Sequence, residues 1–246
     1  MEAAVEVRGL TRYFGELLAV DHVWFDVPRG SVFGFLGPNG AGKTTTLRMI
    51  YGVLRPDDGD AVVLGRSVRR EPREVRRLLG VMPEDAGIYP RLTAEENLIY
   101  FGKLRGMEEG ELRERVRDLL SRLGLEEKRH VLGDRLSRGM KVKLSFARAI
   151  LHEPPVLLLD EPTAGVDVMS AREIRSMIRK YAEGGRTVVI STHNMWEVER
   201  LCDGVAVINR GKIVFSGEIG ELQRLTGERE FEEVFVRLVR QEVIET

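Results

Sequence analysis

The chain contains a single cysteine, Cys202, in 246 residues. That excludes an internal disulfide and fits a reducing compartment. It also lacks any uninterrupted apolar run near the ~20 residues that span a bilayer, and its N-terminus carries no signal-peptide core. The expected location is therefore the cytosol, with any membrane role supplied by a partner. An excess of one charge is missing too: 38 Lys and Arg stand against 39 Asp and Glu, a formal net charge of -1. That balance gives no overall attraction to nucleic acid or anionic lipid, so no nucleic-acid partner is expected. The Arg clusters in "RRLLG" and "RERVRDLLSRL" are interleaved with acids or flanked by them, as on solvated helix faces. Only two Gln and four Asn accompany the many charges, a composition compatible with a thermophile. What is present, 43% apolar and 31% charged residues, describes an ordinary globular chain long enough for one large domain.

Hydrophobic patterning divides the chain into three stretches. From Val5 to Gly37 it reads as short strands broken by Gly and Pro, with Val32 to Leu36 a compact apolar strand. "TTTLRMIYGVL" follows with helical spacing, stopped by "RPDDG", and "DAVVLG" returns as a strand. From about Leu92 to His152 apolar residues recur every three or four positions, which predicts a helical block. Strands then resume: "PVLLLDEP" is a continuous apolar run, as in a parallel strand covered on both faces. "AREIRSMIRKYAEGG" is a helix, "RTVVISTH" a second buried strand, and "VAVINRGKIVFSG" a hairpin turning at Asn209 to Gly211. "REFEEVFVRLVRQEV" closes the chain as an amphipathic helix that packs its apolar face on the core. Alternating strands and helices on both sides of an all-helical block imply an α/β core with a helical insertion.

"GPNGAGKTT", Gly37 to Thr45, matches G-x-x-x-x-G-K-[ST] between an apolar strand and a helix. Glycines at Gly37, Gly40 and Gly42, with Pro38, Asn39 and Ala41 between them, let backbone N–H groups turn inward around phosphate oxygens. Lys43 reaches the β- and γ-phosphates in this motif, the Thr44 hydroxyl ligates Mg²⁺, and Thr45 completes the segment. Nucleotide binding follows.

"LLLDEP" then sets Asp160 and Glu161 at the end of a buried strand, where neighbouring side chains point to opposite faces. Asp160 suits a place beside Mg²⁺, directly or through water, and Glu161 is free to act as general base toward an attacking water. His193 follows the next apolar strand and belongs to the same rim, since catalytic groups in open α/β sheets gather at strand carboxyl ends. A γ-phosphate contact is its expected role. One more feature points to an anion: "RLSRGMKVKL" opens a helix at Ser137 and Gly139, with Arg138, Lys141 and Lys143 adding positive field. A helix N-terminus carries unpaired N–H groups and a partial positive charge.

The ordered set "GPNGAGKTT", "MPE", "LSRGM", "LLLDEP", "GVD" and "STH", from Val5 to Gly217, resembles the nucleotide-binding subunit of an ABC transporter. The resemblance implies a P-loop NTPase (RecA-like) α/β core, an N-terminal antiparallel β subdomain and an inserted α-helical subdomain. On this chain the core is about 1–88 and 153–220, the helical insertion about 89–152, and a C-terminal helical tail 221–246. It implies ATP and Mg²⁺ as ligands, ATPase activity, and a head-to-tail dimer that sandwiches two nucleotides. Phe14 in "RYFG", or alternatively Tyr13, would stack on adenine. Ser137 and Gly139 would contact the γ-phosphate held by the other subunit, with Asp167 crossing the interface beside them.

Two departures from the family wording stand out: Arg138 and Met140 within the signature, and Glu84 where Gln is usual near Mg²⁺ or the attacking water. "LSRGM" is similar to exporter-type members acting on drugs, lipids or polysaccharides. The stretch after Glu84 resembles the surface that receives the membrane subunit, although most of its aromatics, Tyr89, Tyr100 and Phe101, are expected in the core of the helical block. The implied partners are an integral membrane permease and a second copy of the chain or a paralogue, a homodimer being preferred. The location would then be peripheral, on the cytoplasmic face of the cell membrane. The alternatives are a soluble ABC-type ATPase in cofactor assembly and a P-loop kinase or GTPase, against which "LSRGM" argues.

Overall fold

The computed structural model describes residues 2–226 and 231–240. Its first two strands, β1 (Ala3–Phe14) and β2 (Leu17–Pro28), form one long antiparallel hairpin. This corrects the expectation of short strands. Gly9 adopts φ +64° and is taken up at a shift of register between Val7 and Leu10, so it bends the strand without ending it. Strand β1 also pairs with β4 (Asp58–Val63), which is followed by the two-residue β5 (Arg66–Ser67), giving a four-stranded antiparallel sheet in the order β2-β1-β4-β5.

A second sheet of six strands carries the site. It contains β3 (Val32–Leu36), β6 (Leu79–Met82), β7 (Val156–Asp160), β8 (Thr187–Thr192), β9 (Gly204–Asn209) and β10 (Lys212–Glu218), in the order β10-β9-β3-β8-β7-β6. All pairs are parallel except β9 with β10, the hairpin expected at Asn209–Gly211. Every residue of β3, β7 and β8 is buried, which accounts for their continuous apolar runs. Phe25 of the first sheet stacks on Phe33 and Phe35 of the second, with centroids 6.0 and 5.1 Å away. These pairs tie the sheets together at ~0.5–1.5 kcal/mol each beyond their burial.

The helical block is present as α3 (Ala94–Leu104), α4 (Glu109–Arg122) and α5 (Arg138–Ile150). Thr93 and Glu96 form a capping box at the start of α3. Gly102 lets α4 approach closely, since a Cβ there would lie 2.2 Å from Leu112 Cδ1. Three of the four Arg residues of α4 pair with acids on its solvated side: Arg113 with Glu109, Arg122 with Asp118, and Arg115 with Asp118 and Glu153. The aromatics break the expectation. Tyr89 and Tyr100 are 45% and 41% exposed, packed with Phe101 as a surface cluster capped by the Arg148 guanidinium. The core side of α3 is instead filled by Ala94, Asn97, Leu98 and Gly102.

The remaining helices are α1 (Lys43–Ile50), α2 (Pro72–Leu78), α6 (Val168–Glu183), α7 (Met195–Leu201), α8 (Ile219–Thr226) and α9 (Phe231–Arg240). Val234, Phe235 and Leu238 of α9 pack with Leu36, Val198, Val205 and Val207, as the amphipathic pattern implied. The ends of that predicted segment, 229–230 and 241–243, lie outside the described residues. Among the described residues no helix is long and apolar enough to cross a membrane.

Candidate functional site

Strand order decides where the singled-out residues meet. β3, β8, β7 and β6 are consecutive parallel neighbours, so their carboxyl ends form one rim. Onto that rim they deliver Gly37–Thr45, His193, Asp160 with Glu161, and Glu84, in that order. This is the crevice where open α/β sheets bind ligands.

The Gly37–Thr45 loop is held from behind. A Cβ on Gly37 would lie 2.4 Å from the Ile208 carbonyl, and one on Gly42 (φ +107°) 2.7 Å from the Ala19 carbonyl. Those two positions therefore need glycine for close approach and, at Gly42, for backbone conformation as well. Gly42 caps α1 without a side-chain acceptor, and the first turn holds no acid, so the helix offers its N–H groups and positive dipole end to an anion. The Thr46 hydroxyl bonds back to Gly42, whereas Thr44 and Thr45 are half-buried at the loop. Pro38 is half-buried, Asn39 and Gly40 are exposed, and Ala41 is buried.

Lys43 is only 6% exposed. Its ammonium donates to the Gly37 carbonyl at 2.8 Å and the Pro38 carbonyl at 3.2 Å, and pairs with Glu161 Oε1 at 3.4 Å. The other Glu161 oxygen, Oε2, lies 2.9 Å from His193 Nδ1. Lys43, Glu161 and His193 thus form one polar chain across three strands. Glu161 has φ +48°, an unfavourable conformation for a residue with a Cβ, held by its N–H to the Ser191 carbonyl. Asp160 is buried and accepts from the Ser191 hydroxyl through Oδ1. Glu84 is exposed just beyond β6. Thr44, Asp160 and Glu84 supply oxygen donors of the kind Mg²⁺ takes.

Two groups missed in the sequence stand behind this rim. Ser191 is the register partner of Asp160 on β8. Glu197 of α7 is a buried carboxylate that accepts from the Thr163 and Thr192 hydroxyls and pairs with Arg175 at 3.4 Å. It thereby braces the turns after Glu161 and before His193. The bonds that join them to the Asp160–Thr163 segment span 31 and 34 residues, so spacing along the chain does not reveal them.

Phe14, at the tip of the β1–β2 hairpin, is 48% exposed with Arg12 over its ring, and Tyr13 beside it is 46% exposed. The hairpin reaches the loop at Ala19 and Val20, whose carbonyl and side chain a Cβ on Gly42 would meet at 2.7 and 3.4 Å.

Ser137, Gly139 and Asp167 form a separate cluster. Ser137 caps α5 by accepting from the Met140 N–H, and Asp167 caps α6 by accepting from the Ser170 N–H and hydroxyl. Those two bonds hold the Asp167 carboxyl below its usual range. Gly139 sits where a Cβ would lie 2.5 Å from Ser170 Oγ, so the two helix starts abut. Among the described residues no hydrogen bond or ion pair joins this cluster to Gly37–Thr45. Among the described residues near Ser137 only Lys143 is paired with a carboxylate, while Arg138 and Lys141 keep their charge uncompensated by an acid in contact. Arg138 bonds the Ala164 carbonyl, Lys141 the Asp134 carbonyl, and Lys143 pairs with Glu173, so all three side chains have a fixed address within the chain.

The chain is similar to known proteins over most of its length. Residues 20–164 match the family model described as "ABC transporter". The chain is 38% identical over 97% of its length to the probable multidrug ABC transporter ATP-binding protein YbhF of Escherichia coli, of which it spans 42%. It is 40% identical to the daunorubicin/doxorubicin resistance ATP-binding protein DrrA of Streptomyces peucetius, covering 91% of this chain and 68% of that one. It is 41% identical to the Nod factor export ATP-binding protein I of Paraburkholderia xenovorans, covering 88% and 71%. A solved ATP binding subunit of an ABC transporter superposes with a TM-score of 0.87 at 30% identity, covering 96% of this chain and 99% of that one. The dimeric cassette MJ0796, in a post-hydrolysis state bound to ADP and Pi, gives 0.80 at 25% identity, covering 87% and 98%.

Proposed function

This chain belongs to the ABC transporter family, as an ATP-binding domain of the ATPase class, and from that premise we propose that it is the motor subunit of a membrane exporter. ATP is held by Gly37–Thr45, with Lys43 on the β- and γ-phosphates and Phe14 against adenine. A second copy of the chain, or a paralogue, closes on it head to tail. Ser137 and Gly139 of each copy then meet the γ-phosphate bound by the other, and Asp167 lies at the interface. Glu161 takes the proton of the attacking water, and His193 contacts the γ-phosphate. Mg²⁺, held by Thr44, Asp160 and Glu84, would neutralise charge on the β- and γ-phosphates.

Closure favoured by γ-phosphate contacts, and reopening after hydrolysis, make a two-state switch that drives an integral membrane permease. The nucleotide-binding core is 1–88 with 153–220. Residues 89–152 are the helical insertion bearing the signature, and 221–246 the tail. Export is supported by the drug-resistance and export names of relatives, and the location follows from the permease: the cytoplasmic face of the cell membrane.

The observation that carries the reading is the Lys43–Glu161–His193 chain beside the glycine loop, while Ser137 and Asp167 lie together elsewhere. A loop with its own cradle has no use for a second γ-phosphate site in the same subunit. Mixing two inactive variants, Ser137→Arg and Lys43→Ala, tests the shared arrangement. Each alone should lose turnover by ~10² or more. Random pairing gives half mixed dimers with one complete site of two, so recovery should rise up to about a quarter of the parent rate. No recovery on mixing, with dimers shown to exchange, would place both groups in one subunit's site.

A further inference from the structure

Arg138 replaces a glycine of the usual signature, and its side chain has a definite address. The guanidinium donates to the Ala164 carbonyl through Nε at 3.1 Å and Nη2 at 2.8 Å. The Ala164 N–H in turn donates to the carbonyl of Glu161 at 3.1 Å. Gly165, at φ +66°, leaves room for the guanidinium, because a Cβ there would lie 2.7 Å from Arg138 Cζ. A continuous hydrogen-bonded path therefore runs from the start of α5, where Ser137 and Gly139 sit, to the backbone of Glu161. The forked guanidinium suits such a two-pronged grip on one carbonyl, which a lysine ammonium would hold only as a point charge.

We infer that Arg138 is a positioning residue that ties each subunit's signature helix to its own general base. The inference rests on the proposed shared ATP sites. In such a dimer Ser137 and Gly139 touch the nucleotide held by the other copy, while Glu161 serves the nucleotide held at home. Engagement of one γ-phosphate thus sets the turn that aims the base at the other. Arg138 acts through Ala164 and not through its field on phosphate.

The test compares Arg138→Gly and Arg138→Lys, each checked for an unchanged melting temperature. Rate is followed against ATP concentration, and ATP-driven dimerisation is measured in a Glu161→Gln background. Both variants should keep ATP-driven dimerisation and KM within about twofold and lose about tenfold in kcat, the scale of a lost charged hydrogen bond. Their Hill coefficients should fall toward 1. Full turnover and cooperativity in Arg138→Lys would mean that charge, not the tie, is what matters, and would overturn the inference. So would unaltered kinetics in Arg138→Gly. If the parent Glu161→Gln protein does not dimerise with ATP, the shared-site reading fails first and the inference falls with it.

Discussion

Lys43 Nζ lies 3.4 Å from Glu161 Oε1, both side chains being less than a tenth exposed. The loop cation is therefore shared between the Gly37 and Pro38 carbonyls and the carboxylate proposed as general base. A γ-phosphate entering the loop would compete for the same ammonium. Replacing Glu161 by Gln keeps the shape, removes that competitor and removes the base. Turnover should fall ~10²–10⁴-fold, while ATP binding measured by calorimetry stays intact or tightens. Lys43→Ala should instead weaken nucleotide binding itself. Turnover close to the parent in Glu161→Gln would transfer the base role to another group.

Glu84 stands exposed beyond β6, two strands from β8 and next to β7, which carries Asp160. An anionic side chain there repels phosphate when no metal intervenes and assists once Mg²⁺ is present. The ratio of ATP affinities with and without Mg²⁺ should therefore shrink in Glu84→Gln. The expected change is about fivefold, the scale of one unit charge at ~4 Å in watery surroundings. Equal ratios in parent and variant would remove Glu84 from the metal site.

The readable parts of this protein are those whose chemistry is local. Gly37–Thr45 announces itself because a phosphate cradle needs glycines and a lysine within one turn, and β7 because a strand covered on both faces must be apolar throughout. Periodicity likewise located α3, α4 and α5, but it could not tell which face of α3 is covered. Phe101 stands three residues from buried Leu98 and Tyr100 three from buried Asn97, yet the cluster the two aromatics make with Tyr89 is partly solvated. The long hairpin was hidden for a related reason. Gly9 is a breaker in isolation, whereas pairing on both sides lets β1 absorb it. What the sequence conceals altogether is partnership at a distance: Arg138 with Ala164, Asp160 with Ser191, Glu197 with Thr163. Arg138 adds charge beside Ser137, and only the fold gives its guanidinium the Ala164 carbonyl.

His152 supplies a pH-dependent term of stability. It follows α5, where Nε2 donates to the Leu79 carbonyl at 3.2 Å and Nδ1 is buried without a hydrogen-bond partner among the described residues. Burial, with the Arg105 charge second, lowers its pKa to about 4 against the Leu79 bond, which opposes the shift. The folded state therefore favours neutral imidazole. Its contribution is fully present above the unfolded value of about 6.5 and is lost as pH falls from there toward 4. Discounted for partial exposure, the loss is about 2 kcal/mol. His152→Gln cannot take up a proton, so its stability should fall less than the parent's between pH 7 and pH 4.5. Urea unfolding at the two pH values measures the difference directly. Parallel losses in parent and variant would mean that His152 titrates alike in the folded and unfolded chain, and that the acid sensitivity of the protein arises elsewhere.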